Sequence, residues 1–295
     1  MLTVISACYN AVTNNSKKVI DRCVESVAKL PFAHEHLIMD GESNDGTKEF
    51  LESLAYPFVK VYSEKDTSIY DALNKGLIKA SGDYVYVLGL DDFIEHPTKM
   101  KEAYEIAVKG KYDIVISPVR SSEVVSFPSR KRDVFDSYYI GGYCHQGEMI
   151  RTEVLRAQGG YDTKYRIVSD FKSNCIAHLQ GARVKYLDCQ YAFFNSTGIS
   201  SDRNRIIDEY SSCIRKIYPE GKLLELSQGI IPFSSVFRLI FSRSLFSVRM
   251  GLRALRRRVV RVKKSPKGKE YRLFEIVIFT RKRRMADEDR SERIG

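Results

Sequence analysis

Asp91 and Asp92 stand side by side at the end of the apolar run Tyr84-Val85-Tyr86-Val87-Leu88. β-Branched and aromatic residues dominate that run and Ser81-Gly82-Asp83 starts it, so it reads as a buried strand. Two carboxylates after such a strand fall at the carboxyl edge of a parallel sheet, where open α/β sheets bind their ligands. Adjacent carboxylates repel, and a compact fold seldom keeps them together without a cation or hydrogen-bond donors. Oxygen ligands suit Mg2+ or Mn2+, which commonly join one or two protein carboxylates to a substrate's phosphates. The plainer reading of the pair is a turn in which Asp92 caps the helix that follows.

The elements needed to place these groups are legible upstream. Residues 2–7, 36–39, 58–62 and 84–88 have strand composition, and 17–30, 46–54 and 69–80 have helical spacing. Strict alternation of the two predicts an α/β domain: a parallel sheet with right-handed crossovers and helices on both faces. Every early strand ends in small or polar residues. These are Ser6-Ala7-Cys8-Tyr9-Asn10, Asp40 to Thr47, Ser63 to Ser68, and Gly89-Leu90-Asp91-Asp92. In a parallel sheet the four clusters share one edge and can converge on one ligand. Neither Gly-x-Gly-x-x-Gly nor a P-loop sequence occurs, so a nucleotide at this edge must be held by side chains and a metal ion.

The order loosens after residue 95. Helices are expected at 99–108, 169–178 and 204–218, strands at 113–117, 184–187 and 191–194, and a turn at 158–162. The body is expected to span 1–228, with halves 1–95 and 96–228, and a distinct region to span 229–295.

Hydrophobic content of 43% and charged content of 29% are those of a soluble globular protein. The six cysteines are scattered without Cys-x-x-Cys, which fits reduced thiols. Neither a signal peptide nor an 18-residue apolar span is expected. The net charge of +11 is unevenly placed: residues 229–295 carry 19 Lys and Arg against 6 Asp and Glu, so the body is near neutral. Within that tail Phe237, Phe241, Leu245, Val248, Leu252, Leu255 and Val259 recur at helical spacing beside Arg238, Arg249, Arg253 and Arg256. That pattern predicts an interfacial helix on an anionic membrane, with packing on the body or nucleic-acid binding as the competing uses. Residues 263–269 read as a linker, 271–280 as a strand and 281–295 as disordered.

Five stretches together resemble the family 2 glycosyltransferases of the GT-A fold, above all bacterial enzymes of surface-polysaccharide assembly. They are Ile5 to Asn10, Ile38 to Thr47, Ile69-Tyr70-Asp71-Ala72-Leu73-Asn74-Lys75-Gly76, Ala80 to Tyr84 and Leu90-Asp91-Asp92. The resemblance covers about residues 1–195. It implies a GT-A-type, Rossmann-like, mostly parallel sheet, to which the chain adds its basic helical tail.

What the resemblance implies for single residues is as follows. Asp40 hydrogen-bonds the uracil of a UDP-sugar, with Ser6, Tyr9 and Asn10 of the first-strand loop beside the base. Asp71 and Lys75 lie near the donor's ribose, diphosphate or sugar. Asp92 ligates Mn2+ or Mg2+, and Asp91 faces ribose or metal. Gly89 departs from the usual Asp-x-Asp form, so ligation rests on one carboxylate, the phosphates and water. Inverting transfer needs a base to take the acceptor hydroxyl's proton. Asp170, following the turn Gly159-Gly160-Tyr161-Asp162, fits that position, with Asp162 as its rival. His145, in Cys144-His145-Gln146-Gly147, is placed to contact the diphosphate or acceptor. Each has a plainer reading: Asp40-Gly41 as a turn, Lys75 as a solvated helix residue, Asp170 as an acid favoured by the helix dipole, His145 as a structural hydrogen-bond partner.

The expectation is therefore a metal-dependent inverting glycosyltransferase, using a nucleotide sugar and a glycan or lipid-linked acceptor. It is expected in the cytoplasm, peripheral on the inner face of the plasma membrane. The rival expectations are a nucleic-acid-associated protein that binds through its tail and a catalytically silent sugar-nucleotide-binding module.

Overall fold

The computed structural model describes residues 1–121, 144–195, 208–209, 212–213, 216–217, 260–265, 268–273 and 276–282. The chain divides into two compact units, Met1–Cys213 and Ile214–Gly295.

The first unit opens as β1 (Leu2–Cys8), α1 (Ala11–Asn14), α2 (Lys17–Ala28), β2 (His34–Asp40), α3 (Thr47–Ser53), β3 (Val59–Ser63), α4 (Ile69–Lys79) and β4 (Tyr84–Val87). These strands lie in the order β3-β2-β1-β4, all parallel. Both faces are covered, so the strands are nearly continuous apolar runs. Leu2 and Val4 pack with Ile20, Cys23, Val24 and Val27 of α2, whereas Ile5, Leu37 and Met39 pack with Leu73 and Leu77 of α4. The α4 contact needs a glycine: a Cβ on Gly76 would sit 2.7 Å from Ile5 Cγ2.

Next come β5 (Phe93–Ile94), α5 (Pro97–Gly110), β6 (Ile114–Ile116), β7 (Val119–Ser121), a 3-10 turn at His145–Gly147, β8 (Glu148–Arg151), α6 (Thr152–Ala157), α7 (Ser169–Leu179), β9 (Val184–Tyr186) and β10 (Ala192–Phe194). β8 inserts antiparallel between β4 and β6, and β9 adds parallel to β6, completing the order β3-β2-β1-β4-β8-β6-β9. A second sheet has the order β5-β10-β7, with β10 antiparallel to β5 and parallel to β7. β8 and α6 are not foreseen in the sequence, because four and six residues are too few to show a period. The residues described between 208 and 217 are helical, within the expected helix at 204–218.

Beyond residue 217 the described part of the second unit is β rather than helical. β11 (Val260–Ser265), β12 (Gly268–Leu273) and β13 (Ile276–Lys282) form an antiparallel meander. Residues 263–265 and 268–269 of the expected linker are thus the paired ends of β11 and β12, and the expected strand at 271–280 is divided between β12 and β13. The β-formers Val260, Val262 and Tyr271 favour this. The apolar stripe from Phe237 to Val259 and the segment 283–295 lie outside the described residues. Among the described residues no helix is long and apolar enough to cross a membrane.

Candidate active site

Parallel register sets the first group. Cys8 pairs with Asp40 and Asp40 with Ser63, so one row across β1, β2 and β3 ends in a thiol, a carboxylate and a hydroxyl. Asp40 is buried and its two oxygens receive four donors: Ser63 Oγ at 2.6 Å, the Ser43 backbone N–H at 3.1 Å, Ser43 Oγ, and the Cys8 thiol at 3.8 Å. Burial, and then Asp40, push the Cys8 thiol well up, so it stays protonated as a donor. Asn10 joins this loop from β1. Its N–H donates to Ser43 Oγ at 2.7 Å and its Oδ1 accepts from the Asn44 N–H at 3.1 Å. Tyr9 beside it is 55% exposed, an aromatic face left open at the sheet edge. Ser6 does not reach this edge. It is fully buried, donating to the Leu88 carbonyl and bonded to His36 Nε2, so its expected contact with a nucleotide is corrected to a role inside the sheet.

α4 carries the second group. Ser68 caps it by accepting the Asp71 N–H, and Asp71 Oδ2 accepts the Thr67 N–H at 2.9 Å. Lys75 Nζ donates to the Lys65 carbonyl and lies 3.9 Å from Glu64. Asp71 and Lys75 therefore face the loop after β3, on the same sheet edge as Asp40.

Asp91 and Asp92 close over Gly89. A Cβ there would lie 2.8 Å from Asp91 Oδ1 and 2.7 Å from Asp92 Oδ2, so the two oxygens converge on one small space that only glycine leaves open. Asn195 holds both: its N–H donates to Asp92 Oδ1 at 2.8 Å and its side-chain amide to Asp91 Oδ2 at 3.1 Å. Gln146 bonds Asp92 as well. Burial, with Asp91 next, pushes the Asp92 carboxyl up to about 7. Convergent oxygens and a strained second negative charge fit a divalent cation. Among the described residues no group of three or more His, Cys, Asp or Glu forms a full protein cage, so substrate phosphates and water would complete the shell. Asp91 is the more exposed of the two.

The last group surrounds Asp170, in the first turn of α7. Tyr70 OH lies 3.0 Å from its Oδ1 and His145 Nδ1 4.0 Å from its Oδ2. His145 Nε2 is bonded to Tyr161 OH at 3.0 Å, and burial lowers the imidazole's pKa, favouring its neutral form. His145 thus faces the Asp170 carboxylate. Asp162 is engaged elsewhere: Lys172 pairs with it and the Lys164 N–H donates to it. Burial pushes Glu148 up to about 8, and Asn174 Nδ2 donates to it at 2.5 Å. The segment 144–148 joins the two acidic centres. Cys144 feels both Asp92 and Asp170, Gln146 bonds Asp92, and His145 faces Asp170.

With this arrangement in view, residues 3–190 match the family described as Glycosyl transferase family 2. The chain belongs to that family. Its similarity to a PGL/p-HBAD biosynthesis glycosyltransferase of Mycobacterium bovis is 26% identity over 204 residues, covering 67% of this chain and 78% of the relative. A cholesterol galactosyltransferase of Borreliella burgdorferi is 31% identical over 106 residues, 35% of this chain and 29% of that one. Among solved structures, S. aureus TarS 1–349 in complex with UDP-GlcNAc superposes with a TM-score of 0.62 at 17% identity, over 86% of this chain and 79% of that one. The mannosyltransferase PcManGT of Pyrobaculum calidifontis, in complex with GDP-Man and Mn2+, gives 0.56 at 16% identity, over 86% and 73%. This family 2 glycosyltransferase therefore has the GT-A fold.

Four residues of the site escaped the sequence reading. Tyr70 and Gln146 lie inside quoted motifs but were given no role of their own. Asn195 follows a recognised strand, with nothing local to mark its reach to Asp91. Glu209 accepts the Arg166, Ile167 and Val168 N–H groups across 41 to 43 residues, and so fixes the turn before α7.

Proposed function

We propose that this glycosyltransferase moves a sugar from a UDP-linked donor to a glycan or lipid-linked acceptor in one inverting displacement. The observation that carries the reading is the segment 144–148, which ties the Asp91–Asp92 pair to Asp170. Donor phosphates and an acceptor hydroxyl then fall on opposite sides of a sugar held between these two centres. The UDP-GlcNAc complex of the structurally similar TarS supports a nucleotide-sugar donor, and the Mn2+ complex of PcManGT supports a metal. Asp40, with Tyr9 and Asn10, would line the base, and Asp71 and Lys75 the ribose and diphosphate.

Asp91 and Asp92 would hold Mn2+ or Mg2+, which when bound supplies charge stabilisation for the departing diphosphate. Asp170 takes the acceptor's proton as its oxygen bonds the anomeric carbon. The neutral His145 beside it adds no competing base in the physiological range, since Tyr161 occupies its other nitrogen.

The test is binding followed by turnover. UDP should raise the melting temperature more with Mn2+ than with EDTA, and Asp92→Asn should remove most of that difference. Asp170→Asn should keep UDP affinity and lower turnover by roughly 10²-fold or more. Equal stabilisation in Mn2+ and EDTA would remove the metal. Retention of the donor's anomeric configuration would remove the single displacement.

A further inference from the structure

Tyr70 OH is buried, and a phenol has one proton. Two acceptors compete for it: the Ile167 carbonyl at 2.6 Å and Asp170 Oδ1 at 3.0 Å. The Asp170 backbone N–H also reaches the phenol oxygen. Burial, with Asp170 next, pushes the phenol's pKa well up, so it remains a donor at any working pH. The Ile167 carbonyl is not free to drift, because Glu209 fixes the backbone at 166–168.

We propose that Tyr70 is the positioning residue of the general base. Its proton lies on Asp170 Oδ1 while that carboxylate is ionised, and turns to the Ile167 carbonyl once Asp170 has taken the acceptor's proton. This rests on the reading of Asp170 as the base. In the step, the acceptor oxygen bonds the anomeric carbon and its proton goes to Asp170. The bond from the anomeric carbon to the diphosphate oxygen breaks, and its electron pair leaves with the diphosphate. The new Asp170 O–H donates to the Tyr70 oxygen, whose own O–H now donates to Ile167. No proton leaves Tyr70, and the hydrogen bond between Tyr70 and Asp170 is kept in both protonation states of the carboxyl. Tyr70 precedes Asp71 on α4, so the same helix that borders the donor also orients the base.

The groups facing Asp170 are Tyr70 from α4, Cys144 and His145 from the turn, Glu148 from β8 and Tyr161 from the loop after α6. Burial pushes Cys144 well up and Glu148 up to about 8, and lowers His145; all three are common to parent and variant, so the difference between the two profiles reports the carboxylate that has lost its donor.

The experiment measures UDP release from UDP-glucose, UDP-galactose or UDP-GlcNAc, whichever the full chain turns over, with water as acceptor. Tyr70→Phe keeps the ring and removes the hydroxyl. We expect kcat to fall about tenfold with the donor KM within twofold. The acidic limb of the kcat/KM profile should move up by about one pH unit, since the ionised carboxylate has lost a donor. In an Asp170→Asn background the same substitution should cost nothing further in kcat, whereas a merely structural role would stay additive. An unmoved limb, or an additive double variant, would overturn the role of Tyr70 while leaving Asp170 as base. Full turnover in Asp170→Asn alone would overturn the base assignment and this proposal together.

Discussion

Glu148 shows how one buried side chain can tax the fold without touching substrate. It sits on β8 at 4% exposure, held by Asn174, with its pKa raised to about 8 by burial. Between the ordinary carboxylate value and 8 the folded chain holds a proton that the unfolded chain has lost. Stability must therefore fall as pH rises through that window, and the cost is complete above 8. Glu148→Gln keeps an acceptor for Asn174 Nδ2 and removes the titration. Its melting temperature should exceed the parent's at pH 8.5 and converge with it near pH 5. Parallel melting curves across that range would show that Glu148 is not buried in this way. Asp40 works at the same scale through hydrogen bonds: its four donors tie β1, the loop after β2, and β3 into one edge.

At the scale of elements, α4 joins the loop after β3 to the cluster around Asp170. Asn74 accepts the Tyr161 N–H at 2.7 Å and donates to the Tyr161 carbonyl at 2.8 Å, and Arg156 donates to the carbonyls of Leu77 and Ala80 at the helix end. Asn74→Ala should leave two backbone groups of Tyr161 unpaired. We expect about 2–3 kcal/mol of lost stability by denaturant melts, together with slower turnover, because Tyr161 backs His145. Unchanged stability would mean that the turn before α7 holds itself. The legible and the hidden elements divide along the same line. β1 to β4 and α4 could be read because long apolar periods and five quoted motifs mark them. β8, α6, Asn195 and Glu209 could not, because each acts through partners far along the chain, as Glu148 with Ile116 and Asn195 with Asp91, and leaves no local pattern. Asp170, the proposed base, was singled out through its motif. The hydroxyl that holds it was not, since Tyr70 follows the same apolar spacing as Leu73 and Leu77.

For the whole molecule, the uneven charge makes a prediction independent of the site. We propose that the region 229–295 places the enzyme on anionic membranes through its arginines and apolar stripe. A chain ending at Gln228 should no longer sediment with anionic liposomes, while melting as one folded body and binding UDP as before. Unchanged sedimentation would assign the tail another partner. The insertion of β8 has a consequence for biogenesis. β4 gains its second neighbour only when residues 149–151 pair with 84–86, and Asp91 and Asp92 are clamped only when Asn195 arrives. During synthesis the ribosome releases a half-sheet with a bare, apolar β4 margin at least 60 residues before the strand that covers it. Such an edge is an open template for pairing with another chain. Slow elongation between residues 90 and 150 should therefore promote aggregation of nascent chains, and donor-half fragments should need a chaperone where the full chain does not.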